Sequence, residues 1–262
     1  MQMLAAGFLL VIVIGGILLW LPVCNQEPIA FTDALFTSTS AVCVTGLMTV
    51  VPATQFTLLG KVVLLVLIQI GGLGVVAVST FFLVVIGRKI TVKERVMIQE
   101  TYNMESLSGM VKWILRILKG TFVVEGIGAI FFAFQFIPEY GFLKGIWYSV
   151  FHSISAFCNA GIDILGADSF AAYARNPLIN LTTMILIVAG GIGYTVWFDI
   201  IDNIRNFRKK GERRRGMFKI LTLNSKVALT MTAILIVTGT VSFLFLELSN
   251  PDTLGEFSFG DK

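Results

Sequence analysis

Five long apolar runs, at about 4 to 23, 57 to 86, 111 to 137, 178 to 204 and 224 to 248, constrain this chain more than any other feature. Crossing ~30 Å of hydrocarbon takes ~20 helical residues, and each run has about that length or more. Their apolar residues are continuous, whereas a membrane β-strand alternates apolar and polar positions over ~10 residues. Of the 262 residues, 56% are hydrophobic and only 14% charged, and the mean hydropathy is +0.85. The solvent for such a chain is a bilayer. An all-α integral membrane fold with five transmembrane helices is therefore expected. Residues 1 to 23 have no positive n-region, and no small-x-small cleavage site precedes Cys24, so a retained helix is expected in place of a signal peptide.

The net charge of +4 raises the question of nucleic acid. The basic residues instead flank the hydrophobic ends, which reads as topology. Arg88, Lys89, Lys93 and Arg95 follow the second run, and Lys112, Arg116 and Lys119 open the third. The segment RNFRKKGERRRGMFK, from Arg205 to Lys219, holds eight basic residues and one Glu. The opposite loops are acidic, with Glu27, Asp33, Glu139, Asp163, Asp168, Glu247, Asp252, Glu256 and Asp261. The positive-inside rule then predicts a multi-pass plasma-membrane protein with a cytoplasmic N-terminus, cytoplasmic basic loops and an external C-terminal tail. The lipid membrane is its expected partner, and nucleic acid is not.

The chain repeats itself. Residues 36 to 46, FTSTSAVCVTG, align without a gap on residues 151 to 161, FHSISAFCNAG, with six of eleven positions identical. Further on, IGGLG at 70 to 74 is echoed by GGIG at 190 to 193. The unit is a spanning helix, a short segment and a second spanning helix. The short segments, roughly 31 to 43 and 145 to 157, are too short and too rich in Ser and Thr to cross, so each enters and returns on one side. Charge puts both on the outer side. The expected organisation is a first repeat over 1–90, a cytoplasmic amphipathic linker over 91–110, a second repeat over 111–204, a basic cytoplasmic loop over 205–223, and the first helix of a third repeat with an extracellular tail over 224–262.

Irregular backbone at membrane depth is tolerated where it is buried in protein or lines a watery cavity. A cation pore replaces the hydration shell with oxygen atoms, which a row of backbone carbonyls supplies without charge. VCVTGL (42 to 47) and FCNAGI (157 to 162) have that form. Glycine is the residue that tolerates the required dihedral angles, and Gly46 and Gly161 hold the place. The candidate filter residues are Val44, Thr45 and Gly46, with Asn159, Ala160 and Gly161. A short helix pointing its C-terminal pole at the pore favours a cation by a fraction of a kcal/mol to ~1 kcal/mol.

These two loops, each after an F-x-S-x-S-A helix, resemble the first two filter loops of the Ktr/Trk/HKT potassium transporters, and most closely the bacterial Ktr-type membrane subunit. The resemblance covers essentially the whole chain, including GGLG, GGIG and the basic loop. It implies tandem helix–pore loop–helix repeats, four in a complete member, with pseudo-fourfold, cation-channel-like architecture. It implies potassium as transported ion, sodium as coupling ion, a homodimer of complete subunits, and a cytosolic nucleotide-binding regulatory ring. Sodium-preferring relatives carry serine at the first filter glycine, so Gly46 favours potassium. Since the chain stops where a third pore helix is due, these residues are expected to belong to a longer protein.

Other features have plainer readings. GGLGVVA (71 to 77) fits a dinucleotide-loop pattern, but it lies in a membrane span, where close helix packing by small residues is expected. His152 is expected to be structural, not catalytic. Cys43 and Cys158 occupy equivalent positions, suggesting packing behind the filter, and with Cys24 they form no close metal pair. Glu125 lies inside the third run, where a carboxylate either serves function or pairs with a neighbouring helix. No nucleophile, base or metal constellation suggests an enzyme, no cofactor is expected, and no metal beyond the transported cation. The alternative to a pore is a secondary transporter of another small solute built on broken helices.

Overall fold

The computed structural model describes residues 2–74, 77–80, 110–210, 220–248 and 250, in two compact units, Met1–Gly191 and Ile192–Lys262. Among the described residues the regular structure is helical, apart from an isolated antiparallel bridge between Asn25 and Phe56. The first unit contains α1 (Gln2–Trp20), α2 (Phe31–Val42), α3 (Leu58–Leu73), α4 (Met110–Tyr140), α5 (Phe142–Phe157) and α6 (Pro177–Gly191). The second contains α7 (Tyr194–Lys210) and α8 (Leu223–Glu247). Val111–Tyr140 and Leu223–Glu247 are long and apolar enough to cross a membrane, and Ala5–Trp20 and Leu58–Leu73 are shorter apolar helices. Residues 91–109 of the expected amphipathic linker, residues 211–219 of the basic loop and the tail after Asn250 lie outside the described residues.

The short segments are helices where the repeat placed them. α2 matches 31 to 43 closely, while α5 begins three residues before 145. It begins there because Gly141 alone joins it to α4: its φ of +83° is a left-handed turn open to glycine. A Cβ on Gly145 would come within 2.6 Å of Ile137 Cα, so the missing side chain lets α5 fold back against α4.

The second helices depart from expectation. The run 178 to 204 is two helices, not one, with α6 ending at Gly191 and α7 starting at Tyr194. Between them Gly193 has φ +90°, and Gly74, which ends α3, has φ +85°. The fourth residue of GGLG and of GGIG therefore breaks its helix in the same way. A left-handed residue cannot continue a right-handed helix, and hydropathy carries no trace of that.

Each repeat is knitted by the same three contacts. A Cβ on Gly15 of α1 would lie 2.5 Å from Ser38 Oγ and 2.7 Å from Leu67 Cδ2; one on Gly128 of α4 would lie 2.5 Å from Ser153 Oγ and 2.7 Å from Leu186 Cδ1. Through that close approach the serine hydroxyl reaches the first helix: Ser38 donates to Ile12 O at 2.8 Å, and Ser153 to Glu125 O at 2.6 Å. Lipid gives helices no hydrophobic reason to associate, so small-residue packing and bonds like these, averaging about 0.6 kcal/mol each, hold them. Around them the Nδ2 of Asn25 donates to Leu19 O (2.6 Å) and Leu21 O (3.0 Å), capping α1. Thr57 Oγ1 donates to Val23 O at 2.8 Å and accepts from Gly60 N–H at 3.2 Å, fixing the start of α3. After α5, Tyr173 donates to Glu139 Oε1 at 2.7 Å, and burial together with its Tyr140 and Glu139 partners pushes the phenol well above its usual range.

In the second unit, Asp199 of α7 accepts from the N–H and hydroxyl of Thr222, at 2.9 and 2.8 Å. Thr222 caps α8 by accepting from Ser225 N–H. α8 presents large apolar side chains outward, Phe245 at 85% exposure among them, as suits a helix whose surroundings are apolar.

Gly128→Leu is expected to destabilise the first unit by about 1–3 kcal/mol through overpacking against Ser153 and Leu186. Gly126→Ala, where nothing among the described residues lies within 4 Å of the added carbon, is expected to be neutral. Thermal unfolding of the detergent-solubilised protein, followed by size-exclusion chromatography, checks both.

Candidate functional site

Both short helices end in the same cap. Cys43 N–H donates to Thr39 O (2.8 Å) and Thr45 N–H to Ser40 O (3.0 Å). In the second repeat Cys158 N–H donates to Ile154 O (2.9 Å) and Ala160 N–H to Ser155 O (2.9 Å). The bond spanning six residues is the mark of a Schellman cap, which requires a left-handed residue just past the helix. Glycine usually fills that position. Here it is Val44, with φ +50°, and Asn159, with φ +58°. Asn tolerates the conformation, but a β-branched residue in it is strained by about 1–3 kcal/mol.

Two residues further on, Gly46 has φ +74° and Gly161 φ +66°. Each loop thus alternates left-handed, not left-handed, left-handed. The two loops also meet. A Cβ on Gly161 would lie 3.7 Å from Gly46 Cα, and one on Gly46 would lie 2.8 Å from Ala160 O. All six residues singled out in the sequence are therefore in one place. Thr45, Asn159 and Gly161 are exposed, Val44 and Gly46 half-buried, and Ala160 buried. None brings a charge.

The loops are held differently. Thr45 Oγ1 donates to Ser40 Oγ at 2.9 Å. The equivalent Ser155 instead reaches two residues past Ala160, accepting from Ile162 N–H at 3.1 Å and donating to Ile162 O at 2.5 Å. Ser40 and Ser155 were not singled out by sequence reasoning, although their identity within the repeated motif was the signal. Asn159 Nδ2 reaches back to Phe157 O at 3.4 Å.

Behind the loops stand the glycine doublets. A Cβ on Gly71 would collide with Val42 O, and one on Gly190 with Phe157 O, the last carbonyl of each pore helix. The packing expected of GGLG is what is found. Gly72 lies against Cys158, which is buried as expected; Cys43 is exposed, because no such glycine covers it among the described residues. Glu125, 4% exposed, accepts from Gln69 Nε2 of α3 at 3.0 Å, so the reading in which it pairs with a neighbouring helix holds. Among the described residues its Oε2 has no hydrogen-bond partner, nor has Gln69 Oε1. His152 is buried and hydrogen-bonded, as a structural histidine should be.

Comparison with known proteins bears on what this arrangement serves. The profile of the TrkH family, described as cation transport protein, matches residues 1–254. The chain is 43% identical over 248 residues to the potassium/sodium uptake protein NtpJ of Enterococcus hirae, covering 94% of this chain and 52% of that protein. It is 39% identical over 261 residues to the Ktr system potassium uptake protein B of Bacillus subtilis, covering 100% and 56%. With the Ktr system potassium uptake protein B of Vibrio alginolyticus the identity is 36% over 259 residues, covering 99% and 54%. The chain spans about half the length of these relatives.

Removing one side of the Gln69–Glu125 pair strands a buried amide, which costs about 1–3 kcal/mol. Glu125→Leu is therefore expected to lower the thermal unfolding temperature, and Glu125→Gln, which keeps an acceptor for Gln69, to restore most of it.

Proposed function

The chain belongs to the TrkH family of cation transport proteins, and on that premise we propose that it supplies two of the pore repeats of a potassium uptake subunit. In this reading the carbonyls of Val44, Thr45 and Gly46, and of Asn159, Ala160 and Gly161, form part of a selectivity filter. The observation that carries it is the paired alternation of left-handed residues at 44 and 46 and at 159 and 161, in loops that touch. An alternation of handedness turns successive peptide groups to one side of the chain, as in backbone nests for anions. With the carbonyls inward, the same device offers oxygens to a cation. Potassium is preferred on the strength of the glycines and of the relatives' names.

The rest of the family's working follows as part of the same proposal. Sodium is the coupling ion, the complete subunit pairs with a second copy, and a cytosolic nucleotide-binding ring regulates it. The N-terminus and the basic residues from Arg205 to Lys219 face the cytoplasm, where the basic run meets anionic lipid and the regulator. The two repeats take 1–90 and 111–204. Ion gradients and membrane potential supply the energy, so the chain is not an enzyme. A secondary transporter for another solute would draw on the helix breaks at Gly74 and Gly193. It would leave the uncharged, doubly left-handed loops without a purpose.

In the complete protein, Gly46→Ser is expected to lower the ratio of potassium to sodium uptake, because a β-carbon at φ +74° is strained and presses on Ala160 O. Uptake of both ions into proteoliposomes measures the ratio. An unchanged ratio overturns the filter assignment.

A further inference from the structure

We propose that His152 is a positioning residue, a neutral hydrogen-bonding strut that holds the outgoing arm of the second filter loop. The inference rests on the filter reading above and names what sets that loop's shape.

His152 lies on α5, 2% exposed, with Phe170, Phe136 and Phe151 at ring-centroid distances of 5.1, 5.4 and 5.7 Å. Its Nδ1 is 2.6 Å from Tyr148 O, and its Nε2 accepts from Ile164 N–H at 3.4 Å. The two partners decide the tautomer. A carbonyl only accepts, so Nδ1 carries the hydrogen; a backbone N–H only donates, so Nε2 offers its lone pair. Only the neutral imidazole protonated at Nδ1 satisfies both.

The strut works with Ser155. Three residues apart on α5, the two side chains lie on one face of the helix and bind Ile162 and Ile164, alternate residues of the arm leaving Gly161. Both isoleucines are buried. A helical spacing is thus matched to an extended one, and the arm that leaves the filter turn is pinned at two points.

Packing alone does not hold the turn. A cavity of about 200 Å³ adjoins it, lined by His152, Ser155, Asn159, Gly161, Asp163 and Thr183 among others. The loop has space to relax into, and protein interiors fix a conformation by contact only where such space is missing. The first repeat has no counterpart of the strut. Its equivalent residue is Thr37, whose buried Oγ1 makes no hydrogen bond among the described residues. A threonine does not reach across a loop.

Three substitutions in the complete protein separate the roles of the two ring nitrogens. Gln carries a side-chain carbonyl near the position of Nε2, Asn an amide near that of Nδ1, and Phe only the shape. The readout is the ratio of potassium to sodium uptake in proteoliposomes, which does not depend on how much protein is reconstituted. His152→Gln is expected to keep the ratio within about twofold of the unsubstituted protein. His152→Asn and His152→Phe are expected to lower it about tenfold, the size of one lost hydrogen bond. Asn or Phe with an unchanged ratio overturns the strut, and so does Gln that fails to restore it or to reach the membrane. Gly46→Ser measured alongside separates the two ideas: if it shifts the ratio while Asn and Phe do not, the strut fails and the filter stands. If Gly46→Ser shifts nothing, the filter reading itself fails.

Discussion

A helix that stops inside hydrocarbon leaves carbonyls without partners, at several kcal/mol for each one that stays bare. Each repeat of this chain is built around that constraint. α2 and α5 stop at Val42 and Phe157; a Schellman cap pairs the carbonyls of Ser40 and Ser155 in their last turns, and α3 and α6 pack glycines closely over the last carbonyls, those of Val42 and Phe157. The cap demands a left-handed residue immediately past the helix. That demand starts the alternation of handedness which Gly46 and Gly161 complete. The feature proposed to select an ion thus begins as the solution to a problem of solvation. The strain at Val44, about 1–3 kcal/mol, is tolerable because the cap bond and the burial of α2 outweigh it.

The two repeats share a scaffold more faithfully than they share loops. Gly15, Ser38 and Leu67 recur as Gly128, Ser153 and Leu186 in the same contacts, down to a serine hydroxyl on a first-helix carbonyl. Downstream of the cap they part. Ser40 is engaged by Thr45, whereas Ser155 and His152 extend their hold to Ile162 and Ile164. Duplication preserved what positions the pore helices and left the loop supports free to diverge. Two loops with different supports need not respond alike to substitution, even where the glycines are equivalent.

Much of this was legible in the sequence, and the reasons for the rest are particular. Apolar runs and a gapless repeat located the pore helices and the glycine loops, because burial and duplication both write directly into residue order. The breaks at Gly74 and Gly193 were hidden, since a hydropathy window counts a left-handed glycine as apolar and continues the helix through it. Val44 was named for its carbonyl but not for its dihedral angle, because no valine announces a left-handed cap. A carboxylate in an apolar run reads either as functional or as one half of a helix–helix pair, and the bond that Gln69 makes to Glu125 depends on a neighbouring helix that the run does not encode. Cys43 and Cys158 looked alike because they occupy one position in the repeat; what covers each is a matter of the neighbouring helix, which the repeat does not encode.

That neighbour explains why the glycines come in pairs. Adjacent residues on a helix point about 100° apart, so a doublet presents two bare faces in two directions. On α3, Gly71 faces Val42 of its own repeat while Gly72 faces Cys158 of the next, and Gln69, three residues before Gly72 and on the same face, bonds to Glu125 of that same next repeat. One helix therefore closes its own pore helix and seats the following one. On α6, Gly190 repeats the first duty against Phe157, and Gly191 lies 3.7 Å by its added carbon from Asn159 Nδ2. A single glycine would let the second helix close over the pore helix of its own repeat but leave no flat surface for the adjoining one. The doublet is what lets one repeat set the position of another, and so brings Gly46 and Gly161 into contact.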